Sequence, residues 1–297
     1  MARKNKKKHM KQDNERVCFQ NAKRMKITKT ILIFGIGILI ISCNPLTQIP
    51  KHETVCDSIE ISASEYLVGA TLWFQKSAEM RAVYYQSYRY AELALENQLN
   101  KLEDKTKTAV VLDIDETVLD NSPYEGMLIQ KSLRYSPETW KEWTNLAKAK
   151  ALPGVVEFTH YAKAKGVEVF YVSNRSIDER EATIKNMINE KLPDADERHI
   201  FLKTDESSKM PRYEIIAKEY NILLFVGDNL RDFDENFANR HENYGFALVD
   251  SLKNQFGEKY IILPNPVYGE WEKAIYQGKS PNAKESNRLR KQAIHSY

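Results

Sequence analysis

The chain has only three cysteines in 297 residues, with no Cys-x-x-Cys pair and no Cys/His zinc pattern. That excludes a disulfide framework and a zinc-ribbon function. It also lacks a membrane-spanning run: its one long apolar stretch, residues 30–41, is twelve residues, too short to cross a core of roughly 30 Å as a helix. No internal repeat occurs, and 42% apolar with 29% charged residues excludes collagen-like, mucin-like and wholly disordered chains. An excess of one charge is missing too, since the net is only +3. Residues 1–29 hold eleven Lys/Arg against Asp13 and Glu15, a local +9, which leaves 3 − 9 = −6 for the rest. A body of that sign argues against a nucleic-acid polymer as partner. The length suffices for one large domain or two ordinary ones.

The basic residues form a leader. Lys23, Arg24, Lys26 and Lys29 precede the apolar run as a signal peptide's charged region does, and Met25 offers an alternative start. No Ala-x-Ala site follows. Ile40-Ile41-Ser42-Cys43 instead resembles a bacterial lipobox, which implies acylation and cleavage at Cys43. Each buried CH₂ of an acyl chain holds a protein to a bilayer by about 0.8 kcal/mol, so several chains make a firm anchor. Asn44 rather than Asp behind the cysteine favours the outer membrane of a Gram-negative cell envelope. An uncleaved signal anchor, with Cys43 incidental, is the plainer alternative. The expected organisation is a signal peptide over 1–43, a tether over 44–60, a domain over 61–278 with a small cap at about 124–152, and a frayed tail over 279–297.

Residues 62–101 have no proline and an apolar spacing that predicts one or two long helices, whose tyrosines (Tyr84, Tyr85, Tyr88, Tyr90) read as packing. Short β-branched runs follow at 108–113, 167–172 and 222–226, with two more expected at 246–249 and 260–263. Helical stretches at about 154–165, 178–190 and 209–220 alternate with them. Such alternation predicts an α/β fold with a mainly parallel sheet covered on both faces. Ligands of such sheets bind beyond the carboxyl ends of the strands. Three strands deliver Asp113, Ser173 and Asp228 to that edge.

The segment Val111-Leu-Asp113-Ile-Asp115-Glu-Thr117-Val-Leu-Asp-Asn121-Ser-Pro-Tyr124 resembles the first motif of the haloacid dehalogenase (HAD) superfamily, in the extended form of class C bacterial acid phosphatases. Leu224-Phe-Val-Gly227-Asp228-Asn229-Leu230-Arg-Asp232-Phe233 resembles the second signature of that lipoprotein e-like, DDDD-type family. The resemblance runs from about residue 60 to Trp271. It implies a HAD-like Rossmannoid three-layer core with N-terminal helices and a cap, and a Mg²⁺-dependent phosphomonoesterase. Asp113 would attack phosphorus, and Asp115 would protonate the leaving oxygen and then activate water. Carboxylates of Asp113 and Asp228 with the Asp115 carbonyl would bind Mg²⁺, which prefers an all-oxygen set. Ser173, Lys209 and backbone N–H groups near Asn174 would hold the phosphoryl oxygens. Asp232, if a helix starts at Asp228, shares a face with it and reaches the metal shell; the alternative is a cap before Phe233.

Residues 124–152 are long for a strand-to-helix connection. By resemblance, Trp140 and Tyr268, the latter in Pro264-Asn-Pro-Val-Tyr268-Gly-Glu-Trp271, form an aromatic slot for the leaving group, with Tyr124 close enough to contribute. Their plainer role is to pin the cap; Trp143 and Trp271 read as packing. His160, His199 and His241 lie away from every motif, and no Arg-His-Gly signature is present. The implied substrates are 5′-nucleotides, nicotinamide mononucleotide and aryl phosphates, and a homodimer is allowed. A ligand-binding surface lipoprotein of the haem-uptake kind and a phosphotransferase stay open as alternatives.

Overall fold

A computed structural model of the chain describes residues 64–103 and 106–297. The leader, the Cys43 lipidation site and the tether lie outside the described residues. Helices α1 (Val68–Lys76) and α2 (Ala78–Asn100) open the described chain. They are separate because Ser77 turns extended (ψ 136°) and accepts the Met80 N–H with its side chain, capping α2. The tyrosine-rich stretch divides. Tyr84 and Tyr88 are buried, while Tyr85 and Tyr90 face solvent.

The main sheet contains β1 (Thr108–Leu112), β4 (Glu168–Ser176), β5 (Ile200–Lys203), β6 (Asn221–Gly227) and β7 (Tyr260–Ile262), in the order β5-β4-β1-β6-β7. Every pairing in it is parallel. The central β1, Thr-Ala-Val-Val-Leu, is buried throughout, as a strand covered on both faces must be. Alternate side chains serve two cores. Val110, Leu112, Tyr171, Leu224 and Val226 pack with Tyr84, Tyr88 and Phe158 on one side. Ala109, Val111, Phe170 and Phe225 pack with Tyr213, Ile216 and Phe233 on the other. The result is the expected three-layer α/β sandwich.

Helices α3 (Ser122–Lys131) and α4 (Pro137–Asn145) fill the connection after β1, closed at its base by an antiparallel ladder of β2 (Leu119–Asp120) with β3 (Lys150–Ala151). Helices α5 (Val155–Ala164), α6 (Arg180–Asn189) and α7 (Met210–Ala217) lie where helical stretches were expected.

Two expectations fail, and one element was not foreseen. Residues 246–249 are not a strand but the start of α8 (Phe246–Ser251), where Phe246 is 61% exposed; four apolar residues are too few for periodicity to separate strand from helix. The edge strand β5 was missed because it is four residues long, with only Ile200 and Leu202 buried. Behind α9 (Glu270–Ile275), the tail is not frayed: α10 (Ala283–Ala293) is capped by Asn282. Its Arg290 bonds Glu272 at 2.9 Å and lies 3.3 Å over the Tyr66 ring. No helix among the described residues is long and apolar enough to cross a membrane.

Candidate active site

Strands β1, β4 and β6 end at one edge because their registers align, Leu112 sitting opposite both Tyr171 and Val226. Asp113 continues β1, its N–H donating to the Val226 carbonyl at 2.9 Å. Asp228 directly follows β6. Between Asp228 and Asp232 the chain is not the α-helix that a shared-face argument needs. Asn229 is extended and a 3₁₀ turn covers Leu230–Asp232. Asp232 closes that turn by accepting the Asn229 N–H at 3.0 Å, and its other oxygen takes the Lys209 ammonium at 2.7 Å. Its capping role and its role in the site therefore coexist. The fold makes room for Asp232 at Gly227, where a β-carbon would stand 2.5 Å from the Asp232 carboxylate.

Lys209, buried immediately before α7, donates to both Asp113 and Asp232. Carboxylate oxygens of Asp113, Asp228 and Asp232 lie within 4.8 Å of one another. Burial pushes the Asp113 carboxyl up to about 7, against the pull of Lys209. Burial, then Asp232 and Asp113, raises Asp228 well above the usual carboxylate range. Burial works against the Lys209 ammonium, but the two aspartates outweigh it and its pKa lies above the ordinary value. Three carboxylates against one lysine leave a surplus of negative charge, and this hard-oxygen cluster fits a divalent cation. Asp228 is aimed at it by Thr117 Oγ1 (3.1 Å) and Asn265 Nδ2 (2.8 Å).

Asp115 stands apart from that cluster. One oxygen accepts Arg175 Nε at 2.9 Å, Arg175 Nη2 at 2.7 Å and Asn121 Nδ2 at 2.9 Å. The other accepts the Ser173 hydroxyl at 3.1 Å. Ser173 is thus at the expected edge but engaged with Asp115. Asn174 is exposed, and its side-chain carbonyl accepts Arg212 at 2.7 Å.

A cleft of about 960 Å³ opens over these groups, lined by Asp113, Asp115, Ser173, Asn174, Lys209, Asp228 and Asp232, with Trp140 and Tyr268 also on its wall. Tyr124 is not among the lining residues. It is buried behind Trp140, ring centroids 5.2 Å apart and nearly perpendicular, its hydroxyl held by Thr139 at 3.0 Å. It backs the slot instead of entering it. Trp143 packs as expected and donates to Asn121 at 2.8 Å, whereas Trp271 is 40% exposed and is not a core residue.

Sequence reasoning overlooked Arg175, Asn121, Thr117 and Asn265. Arg175 was the most visible of them, a buried cation directly after Ser173-Asn174 and the apolar run Val169–Val172.

A parallel sheet presenting an Asp-x-Asp pair at its central tip, with a hydroxyl, a lysine and two further aspartates around it, defines a phosphatase of the HAD class. The model of the HAD superfamily, subfamily IIIB (acid phosphatase), matches residues 40–271, and the chain belongs to that family. It is similar to the class C acid phosphatase from Bacillus anthracis: 39% identity over 80% of this chain and all of that one, TM-score 0.74. A second structure of a class C acid phosphatase from Bacillus anthracis, with tungstate bound, matches at 40% identity over 79% of this chain and 98% of that one, again with TM-score 0.74. The protein is a phosphomonoester hydrolase. Its family usually uses a divalent metal, and the cluster of Asp113, Asp228 and Asp232 carboxylates could bind one.

Proposed function

We propose that this acid phosphatase is Mg²⁺-dependent and hydrolyses 5′-nucleotides, nicotinamide mononucleotide and aryl phosphates. The observation that carries this reading is the surplus of buried carboxylate around Asp113, matched by only one lysine. Asp113, Asp228 and the Asp115 carbonyl would hold Mg²⁺, which would supply positive charge against a phosphoryl oxygen. An Asp113 oxygen attacks phosphorus in line, forming an aspartyl-phosphate as the bond to the leaving oxygen breaks. Asp115 gives that oxygen its proton. It then takes a proton from the water that attacks phosphorus, freeing Asp113 and inorganic phosphate. Lys209, Ser173 and the backbone at Asn174 hold the remaining phosphoryl oxygens, and Asp232 fixes Lys209 in place.

Trp140 and Tyr268 would take an aromatic leaving group between them. Stacking of this kind contributes about 1–3 kcal/mol per base. Tungstate, bound by a relative of 40% identity, is a tetrahedral oxyanion like phosphate and supports the phosphate cradle. Anchoring through an acylated Cys43, with the outer membrane as destination, belongs to the same proposal, and cell fractionation of wild type against Cys43→Ala tests it. The catalytic reading is tested by hydrolysis of an aryl phosphate and of 5′-nucleotides with Mg²⁺, with EDTA, and with Asp113→Asn. Activity that needs the metal and vanishes with Asp113 is expected. A folded, Mg²⁺-loaded wild type inert on all of them would overturn it.

A further inference from the structure

Glu116, next to Asp115, has no place in the steps above, yet it is 1% exposed. Its backbone is left-handed (φ 57°), and its carboxyl is pushed well above the usual carboxylate range by burial first and then by Asp115 and Asp228. One carboxylate oxygen accepts the Asn121 N–H at 2.8 Å, which ties the carboxylate to its own loop. The other accepts the hydroxyl of Tyr268, 152 residues further on. Glu116 is not among the residues lining the cleft, so it is no ligand for substrate. Tyr268 does line it.

The backbone of Tyr268 is held as well. Its N–H and that of Val267 donate to Asn265 Oδ1 at 3.3 and 2.9 Å, and Asn265 in turn donates to Asp228. Thus Tyr268 hangs from Asp228 by its backbone and from the Asp115 loop by its hydroxyl. The Tyr268 ring packs half-buried against the core, and a bond to its hydroxyl fixes the far end that the packing leaves at the cleft wall. Among the described residues, the Glu116 carboxylate is the group that bonds that far end.

We propose that Glu116 is a positioning residue for the leaving group: it fixes the Tyr268 ring against the nucleophile loop, so that a ring-bearing phosphomonoester is aligned with Asp115. This rests on the aromatic-slot reading given under the proposed function. Its signature is a change in discrimination between substrates. Esters whose leaving group carries a ring lose more than esters without one.

The test measures kcat and KM for a 5′-nucleotide and for glycerol 2-phosphate on the purified full chain and five variants. Tyr268→Phe keeps the ring and cuts the tie. It should lower the nucleotide-to-glycerol-phosphate ratio of kcat/KM by about tenfold, chiefly through KM, as expected for a lost buried hydrogen bond. Glu116→Ala should do the same, and adding Tyr268→Phe to it should lower the ratio no further. Glu116→Gln, which can still accept from Asn121 and donate to the Tyr268 oxygen, should restore most of the ratio. If Glu116→Ala does not fold, Tyr268→Phe reads the same tie from its other end. A wild-type ratio in Tyr268→Phe overturns the proposal. Tyr268→Ala tells which reading has failed: if it lowers the ratio while Tyr268→Phe does not, the slot stands and the tie is refuted. If it too leaves the ratio unchanged, the slot itself is refuted and the proposal falls with it.

Discussion

Replacing Arg175 by methionine should separate the two halves of the reaction. The guanidinium is 1% exposed and gives Asp115 two donors at 2.9 and 2.7 Å, with further bonds to Thr183 at 3.2 Å and Asn121 at 3.3 Å. Methionine refills the stem volume but supplies no donor. Breaking a buried ion pair costs about 3–5 kcal/mol. The Asp115 side chain is 17% exposed and opens on the cleft, where water can reach it. The lower end, about 3 kcal/mol, is therefore expected. Asp115 keeps its bonds to Asn121 and Ser173 but can swing about them, and a misplaced proton donor costs about 10²-fold in rate. That loss should fall unequally. An alkyl leaving group, as in a 5′-nucleotide, needs a proton, whereas 4-nitrophenolate leaves without one. Hence kcat/KM, which reports formation of the aspartyl-phosphate, should fall about 10²-fold on the nucleotide and only a few-fold on 4-nitrophenyl phosphate. The shared hydrolysis step, in which Asp115 is the base, lowers kcat on both. Arg175→Lys, with charge but no fork, should lie between. Steady-state kinetics on both substrates, with urea unfolding as a check on stability, decide it. Equal losses of kcat/KM on the two esters would refute a role through Asp115 as proton donor and leave Arg175 a structural residue.

Two further outcomes follow from buried groups. Burial, with Glu272 second, pushes the Glu125 carboxyl in α3 from 4.5 up to about 7. The native state therefore keeps a proton that the unfolded chain releases, and stability must fall as pH rises from 4.5 to 7, by up to about 3 kcal/mol. Glu125→Gln should remove that part of the slope between pH 5 and 7.5 in urea midpoints; an unchanged slope would refute it. Gly227→Ala puts a β-carbon 2.5 Å from the Asp232 oxygen that accepts the Asn229 N–H, so Asp232 must shift and its bond to Lys209 is disturbed with it. A stability loss of about 1–3 kcal/mol and a fall of about 10²-fold in kcat are expected. Wild-type values of Tm and kcat together would refute the close approach.

The elements legible from the sequence were those with strong local causes. Residues 108–113 could only be a buried strand, being β-branched and ending in an acid, and the residues around Asp113 and Asp228 carried recognisable patterns. Phe246–Ser251 and Ile200–Lys203 were illegible for the opposite reason: each is a short apolar run whose state is decided by its neighbours. In the site, residues named for chemistry were the easy ones. Asn121, Thr117 and Asn265 act by aiming carboxylates, which depends on distances across 6 to 111 residues of chain that spacing does not reveal. Tyr124 was placed in the slot because it is near in sequence; the turn of α3 puts it behind Trp140 instead.

The loop after β1 shows why the N-terminal helices belong to the site. Once the chain leaves the sheet at Asp113, the carbonyls of Glu116 and Thr117 face the interior with no strand neighbour to bond them. A buried carbonyl without a partner costs free energy comparable to a lost hydrogen bond. Helix α2 supplies the partners: Tyr84 donates to the Glu116 carbonyl and Tyr88 to that of Thr117, at 2.5 and 2.6 Å. Burial holds both phenols well above their ordinary pKa, so neither loses its proton at any pH at which an acid phosphatase works. The same two residues of the loop send their side chains to Tyr268 and to Asp228. Main chain and side chains are therefore committed to different elements, and the loop cannot shift toward one without breaking with another. That is a mechanical reason for Asp113 and Asp115 to hold their places against their mutual repulsion.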